Sequence, residues 1–228
     1  MPVLTFIREA LTSFRQLGTF LPTQTHLARS IARTLPHRNG LNIIELGAGE
    51  GSITRAIVSQ LDGVDYRFLV IELNKKLLQA NQATIHSNSR RPAARAPKGR
   101  LAFLQEDAFA LERILEDQQM PTVDAMISSL PLYYIPAAQR KYLFAMAKDR
   151  LGQQGVYVQY RYTPQGTDEL EPFFSHIRRR FVLNLLPAWL FVCHNQAACD
   201  VPTTKPLPET PSGPSPSLPS FAANRDKL

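Results

Sequence analysis

The sequence predicts an α/β protein built on a doubly wound, mostly parallel sheet, and three patterns lead there. Short apolar runs alternate with helical segments from about residue 42 to residue 161. A turn with alternating glycines, Gly47-Ala48-Gly49-Glu50-Gly51, joins the first run to a helix. Acidic residues stand just past the ends of three successive runs, the edge at which ligands of such sheets bind.

Taken in order, the runs 42–46, 66–71, 101–105, 123–128 and 154–161 read as strands, since each is a short apolar stretch suited to burial on both faces. Helices are expected between and after them, over 52–61, 74–84, 108–117 and 137–150. Arg180 to Leu185 and Ala188 to His194, turned at Leu186-Pro187, read as two adjacent strands that supply an antiparallel edge and bring the sheet to seven.

The glycine turn is where a cofactor should sit. Gly47, Gly49 and Gly51 let backbone approach a ligand closely and free the N-terminus of the next helix to meet it. A nicotinamide or flavin would bring a pyrophosphate, which Glu45 and Glu50 on either side of the turn would repel, whereas S-adenosyl-L-methionine brings an ammonium and a sulfonium. Glu72 follows the second run about 20 residues past the turn, the place for an acid on a ribose diol. Asp107, after the third run, can accept the adenine amino hydrogens. Leu73 and Ala108 beside these acids, and Ser128 at the end of the fourth strand, complete the expected cofactor contacts. Each acid has an alternative fate as a solvated strand-end charge. Three in order, each after a strand, are hard to explain by chance.

On these residues the chain resembles the class I S-adenosylmethionine-dependent methyltransferases, which implies a Rossmann-like seven-stranded sheet with its last strand antiparallel. Ser128-Ser129-Leu130-Pro131-Leu132 with Pro136, Gln159-Tyr160-Arg161-Tyr162 and Asn184-Leu185-Leu186-Pro187-Ala188 resemble motifs of the soluble, peripheral-membrane bacterial phospholipid N-methyltransferases, as does the segment from Phe6 to Leu27. The departures are Ser129 for a glycine, Leu186 for a proline and Thr23-Gln24 for two serines. The resemblance implies methylation of phosphatidylethanolamine toward phosphatidylcholine, with the proline turn after the fourth strand as the acceptor site. Ser129 and the nearby carbonyls would position the amine. Tyr134, Tyr160 and Tyr162, with Tyr133, would surround a methylated ammonium by cation–π contacts, or else simply pack in the core. Tyr160 and Tyr162 should share one strand face. Arg161 would face a lipid phosphate or point outward as a solvated charge. No His or acid is placed as a base, which leaves the proton to water.

Gly18-Thr19-Phe20-Leu21 and Ser129-Leu130-Pro131-Leu132 also echo the ribosomal RNA adenine dimethyltransferases. Ser129 replaces their adenine-binding asparagine and Leu132 their stacking aromatic, so nucleic acid is the second choice. An inactive methyltransferase-like binding protein is a third reading.

Three regions follow. Residues 1–36 should form amphipathic helices, with Val3, Leu4, Ile7, Leu11 and Phe14 on one stripe, serving as a lid over the cofactor edge and as core or membrane contact. Residues 37–196 should be the methyltransferase domain, carrying a basic loop over 86–100 that either solubilises or meets phosphates. Residues 197–228, with seven prolines from Val201 onward, should form a disordered tail. A net charge of +7 points to an anionic membrane surface as partner. Cys193 and Cys199 suit neither a disulfide framework nor a zinc site, and no metal is expected. Without an evident signal peptide or spanning run, a cytoplasmic protein peripheral to the inner membrane is expected.

Overall fold

The computed structural model describes residues 24–89, 99–183 and 187–195. Its elements in chain order are α1 (Gln24–Ala32), β1 (Leu41–Leu46), α2 (Ser52–Gln60), β2 (Tyr66–Ile71), α3 (Lys75–Ser89), β3 (Arg100–Leu104), α4 (Leu111–Asp117), β4 (Val123–Ser128), α5 (Ala137–Arg150), β5 (Leu151–Arg161), α6 (Thr167–Leu170), β6 (His176–Val182) and β7 (Ala188–His194). The seven strands lie in the order β3-β2-β1-β4-β5-β7-β6. β1 to β5 pair in parallel, and β7 runs antiparallel to both β5 and β6. The order reverses at β1, so ligands are expected where β1 and β4 diverge.

Because strand side chains alternate, β1 sends Leu41 and Ile43 to one core and Ile44 and Leu46 to the other. The first core joins the sheet to α1, α2 and Leu78 of α3. The second joins it to α4 and α5, with Phe144 and Tyr157 among its largest fully buried side chains. Fully burying one such side chain stabilises by about 1.5–3 kcal/mol, and that two-sided burial is why the strand runs read as continuous apolar stretches.

Several expected boundaries move. α1 stops at Ala32, and its Leu27, Ala28 and Ile31 lie in the first core, so the region around it is packed with the domain rather than set apart at residue 36. α3 continues to Ser89, which places residues 86–89 of the expected basic loop in a helix. Residues 1–23, 90–98 and 196–228, which hold the N-terminal stripe, the rest of that loop and the tail, lie outside the described residues. The expected helix 108–117 opens as a 3-10 turn over Ala108–Ala110, because the Asp107 carboxylate accepts the Phe109 amide hydrogen. β6 begins at His176, four residues before the expected start, since Ile177 turns toward the second core. The short α6 was not expected.

Candidate functional site

β1 ends at Leu46, and the chain passes through three glycines with positive φ, Gly47 at 73°, Gly49 at 56° and Gly51 at 84°, before α2 begins at Ser52. Each glycine serves a different purpose. A Cβ on Gly49 would meet nothing within 4 Å, so this residue keeps the turn open to a ligand. A Cβ on Gly47 would sit 3.0 Å from Leu130 Cδ2, and this is where the turn after β4 packs onto the glycine loop. A Cβ on Gly51 would lie 1.9 Å from Asn81 Oδ1, an impossible contact. The loop is tethered from β2, where Glu72 accepts the Gly49 amide hydrogen at 2.9 Å and the Asn74 amide hydrogen at 2.8 Å. Both Glu72 oxygens retain a further lone pair for a ligand hydroxyl.

Glu45 occupies a different place from the one expected. Expected as a charge flanking the turn, it is fully buried behind it, accepting the Thr54 hydroxyl at 2.6 Å. Asn81 in turn donates to Thr54 Oγ1 at 2.9 Å. The chain Glu45–Thr54–Asn81 joins β1, α2 and α3 beneath the loop. One Glu45 oxygen, Oε1, is buried with no hydrogen-bond partner. Burial pushes the Glu45 carboxyl up to about 8, with a smaller upward push from Glu72 and opposing effects of Thr54 and Arg55.

A raised carboxyl favours the neutral form in the fold. Its stabilising effect is complete below the unfolded value of about 4.5 and is lost as pH rises through the interval up to about 8. Unfolding midpoints measured between about pH 5 and about pH 8.5 should therefore fall, by an amount on the order of a few kcal/mol in stability, and Glu45→Gln should flatten that dependence. An equally steep decline in the Gln variant would exclude Glu45 as its source.

The other expected cofactor residues fall along the same edge. Asp107 and Ala108 follow β3, with the Asp107 carboxylate already capping Phe109. Leu73 is 44% exposed beside the buried Glu72, and Ser128 ends β4 next to the phenol of Tyr157.

In the turn after β4, the Ser129 amide donates to Leu46 O at 2.8 Å, which pins the proline turn to the end of β1. The Ser129 hydroxyl is buried and has no partner. Tyr160 in β5 and Tyr162 just past its end bring their ring centroids 5.8 Å apart, edge to face, and their hydroxyls are hydrogen-bonded. Burial pushes the Tyr160 phenol upward, and Tyr162 and Glu45 push it the same way, while the ring packs against the first core. Tyr133 and Tyr134 form a second edge-to-face pair at 5.2 Å in the turn itself, with Tyr133 90% exposed.

Arg161 neither meets an open site nor points into solvent. It reaches Glu169 at 3.1 Å and lies over the Phe191 ring at 5.5 Å. Glu169 also binds Arg140, which donates to Ile135 O at 2.6 Å, so α6 carries the anion that fastens the proline turn after β4 to the end of β5. Asn81, Thr54, Arg140 and Glu169 were not expected. Asn81 carried a signal, as a polar residue on the buried stripe Leu78–Asn81–Ile85. Glu169 carried none, because its partners lie on other elements.

The fold of this chain is similar to that of solved structures. Precorrin-6y C5,15-methyltransferase from Geobacter metallireducens matches with a TM-score of 0.54 and 17% identity, over 74% of this chain and 87% of that one. A TehB-like SAM-dependent methyltransferase from Corynebacterium glutamicum matches at 0.51 and 14% identity, over 84% and 99%. The chain has the class I S-adenosylmethionine-dependent methyltransferase fold. Magnesium protoporphyrin IX methyltransferase from Synechocystis, solved with bound SAM, shares that methyltransferase fold at a TM-score of 0.52 and 10% identity, over 75% and 80%. At the level of sequence, the chain is 25% identical over 179 residues to the ornithine lipid N-methyltransferase of Singulisphaera acidiphila, covering 78% of this chain and 88% of that protein. No protein-family model matches the chain.

Proposed function

We propose that the chain is an S-adenosyl-L-methionine-dependent N-methyltransferase acting on the primary amine of a membrane aminolipid, with phosphatidylethanolamine as the substrate and an ornithine lipid as the alternative raised by its relative. The observation that carries this reading is the contact of the acceptor turn with the glycine loop, Leu130 against the Cβ-free side of Gly47. Donor and acceptor sites are adjacent, as direct methyl transfer requires.

The residues fit the cofactor. The glycine loop would cradle it, the open lone pairs of Glu72 would accept its ribose hydroxyls, and Asp107 its adenine amine. The unpartnered Glu45 Oε1 offers a buried anion to a cationic ligand, whose charge would draw the carboxyl into its ionised form. Bound, the cofactor supplies a sulfonium methyl. The chain contributes orientation and exclusion of water. Ser129 Oγ, buried and unpartnered, accepts a hydrogen from the incoming amine. The Tyr160–Tyr162 pair stabilises the ammonium that forms as methyl groups accumulate. Membrane association of the whole chain belongs to the same reading, and no helix among the described residues is long and apolar enough to cross a membrane.

Labelled methyl transfer to phosphatidylethanolamine, to an ornithine lipid and to ribosomal RNA in parallel tests the reading. Label in either lipid supports it, and the ratio assigns the headgroup. Label in RNA alone overturns it. Tyr160→Ala and Tyr162→Ala should each lower turnover by about tenfold, in keeping with a cation–π contact of about 1 kcal/mol or more, with cofactor affinity retained. Unchanged turnover in both would remove the aromatic pair from the site.

A further inference from the structure

The edge strand β6 combines charge and apolar exposure in a way that edge protection does not explain. Arg178, Arg179 and Arg180 are consecutive and exposed, and no Asp or Glu occurs from His176 to Asn195. Among the described residues none of the three is ion-paired. Charges on an edge strand ordinarily prevent another strand from pairing with it. Apolar residues there do the reverse, yet Phe181 is 51% exposed and Leu183, just past the strand, 78% exposed. Phe181 meets Trp189 of β7 edge to face at 5.3 Å, and the Arg179 guanidinium lies over the same indole at 5.9 Å.

The position of this cluster gives it meaning. Val182 pairs with Ala188, and Trp189 pairs with Arg161 at the end of β5. The apolar tip therefore lies on the same edge of the sheet as the acceptor turn after β4, three strand spacings or about 14 Å away.

We infer that the β6–β7 tip docks the protein on an anionic phospholipid bilayer, with Arg178 and Arg180 meeting lipid phosphates and Phe181, Leu183 and Trp189 entering the interfacial layer. The inference rests on the lipid reading of the acceptor site and assigns the surface that brings this site to its substrate. Arginines beside an aromatic belt suit the headgroup boundary, where indole and phenyl rings are half wetted. The exposed Leu183 gains from acyl chains and has nothing to gain from a nucleic acid backbone, which makes RNA the weaker occupant.

The single tryptophan of the chain stands in this cluster and reports on it directly. The full chain is mixed with phosphatidylcholine vesicles with or without phosphatidylglycerol, all lacking aminolipid, so that docking is read apart from turnover. A blue shift of Trp189 emission on the anionic vesicles alone is expected. Arg178→Glu with Arg180→Glu should weaken vesicle binding at least about tenfold, and Phe181→Ser with Leu183→Ser should abolish the shift, with S-adenosylmethionine binding retained in both. An unchanged Trp189 spectrum in the unaltered chain overturns the inference without recourse to any variant. So does vesicle binding by the arginine variant at the original level, or release from vesicles by RNA with retention of the protein on the RNA. Methyl transfer absent while docking persists would instead count against the proposed reaction and leave the surface standing.

Discussion

Gly51→Ala should unfold or severely destabilise the protein, whereas Gly49→Ala, two residues away in the same loop, should leave it folded and impair cofactor binding. Both glycines have positive φ, so either alanine incurs a left-handed strain of about 1 kcal/mol. They differ in what a methyl group would meet. At Gly51 it would overlap the buried Asn81 amide, and Asn81 can yield only by giving up its hydrogen bond to Thr54 and, through Thr54, loosening the contact with Glu45. Each buried polar group left without a partner costs about 1–3 kcal/mol, so the total reaches a large share of a stability that is typically about 5–15 kcal/mol. At Gly49 the methyl group would project into open space above the loop, where the cofactor is expected. Denaturant unfolding and titration with S-adenosylmethionine separate the two effects. Equal stability losses at both positions would mean that the Gly51–Asn81 contact is not a structural constraint.

Glu72→Ala is expected to weaken S-adenosylmethionine binding by at least about a hundredfold, the largest effect of any single substitution on cofactor affinity. The carboxylate acts twice. It holds the Gly49 and Asn74 amides, and under the proposed reading its remaining lone pairs would accept the ribose hydroxyls. Hydrogen bonds to a charged group contribute about 1.5–3 kcal/mol each, so loss of the ribose contacts together with release of the loop exceeds what either would give alone. Glu72→Gln retains one acceptor oxygen and should fall between the two. Calorimetric titration of the three proteins decides the matter. A cofactor affinity unaltered in the alanine variant would confine Glu72 to the tether alone.

Much of the fold was legible in the chain because local rules govern it. The strand runs, the glycine turn and the acids after β2 and β3 are each set by neighbours in sequence, and the two-residue spacing of Tyr160 and Tyr162 already anticipated their ring contact. Glu45 was the instructive departure. Sequence marks an acid two residues before Gly47 and implies a charge beside the turn, yet the structure buries it and pushes its carboxyl up to about 8. Arg161 departed in the same manner, because the Glu169 that receives it lies on α6, an element too short to be recognised by periodicity.

By itself, then, the sequence determined the fold class, the order of the strands along the chain and the place of the glycine turn, since these follow from hydrophobic period and from the backbone freedom of glycine. Only the tertiary structure decided which charges are buried, which are paired and which remain on the surface. Glu45 with Thr54 and Asn81, Arg161 with Glu169 and Arg140, and the β6 arginines, which have no ion pair among the described residues, differ only in what other elements bring against them. The physical reason is that the ionisation and reach of a side chain depend on the local dielectric and on partners distant in sequence, and neither exists until the sheet has closed against its helices.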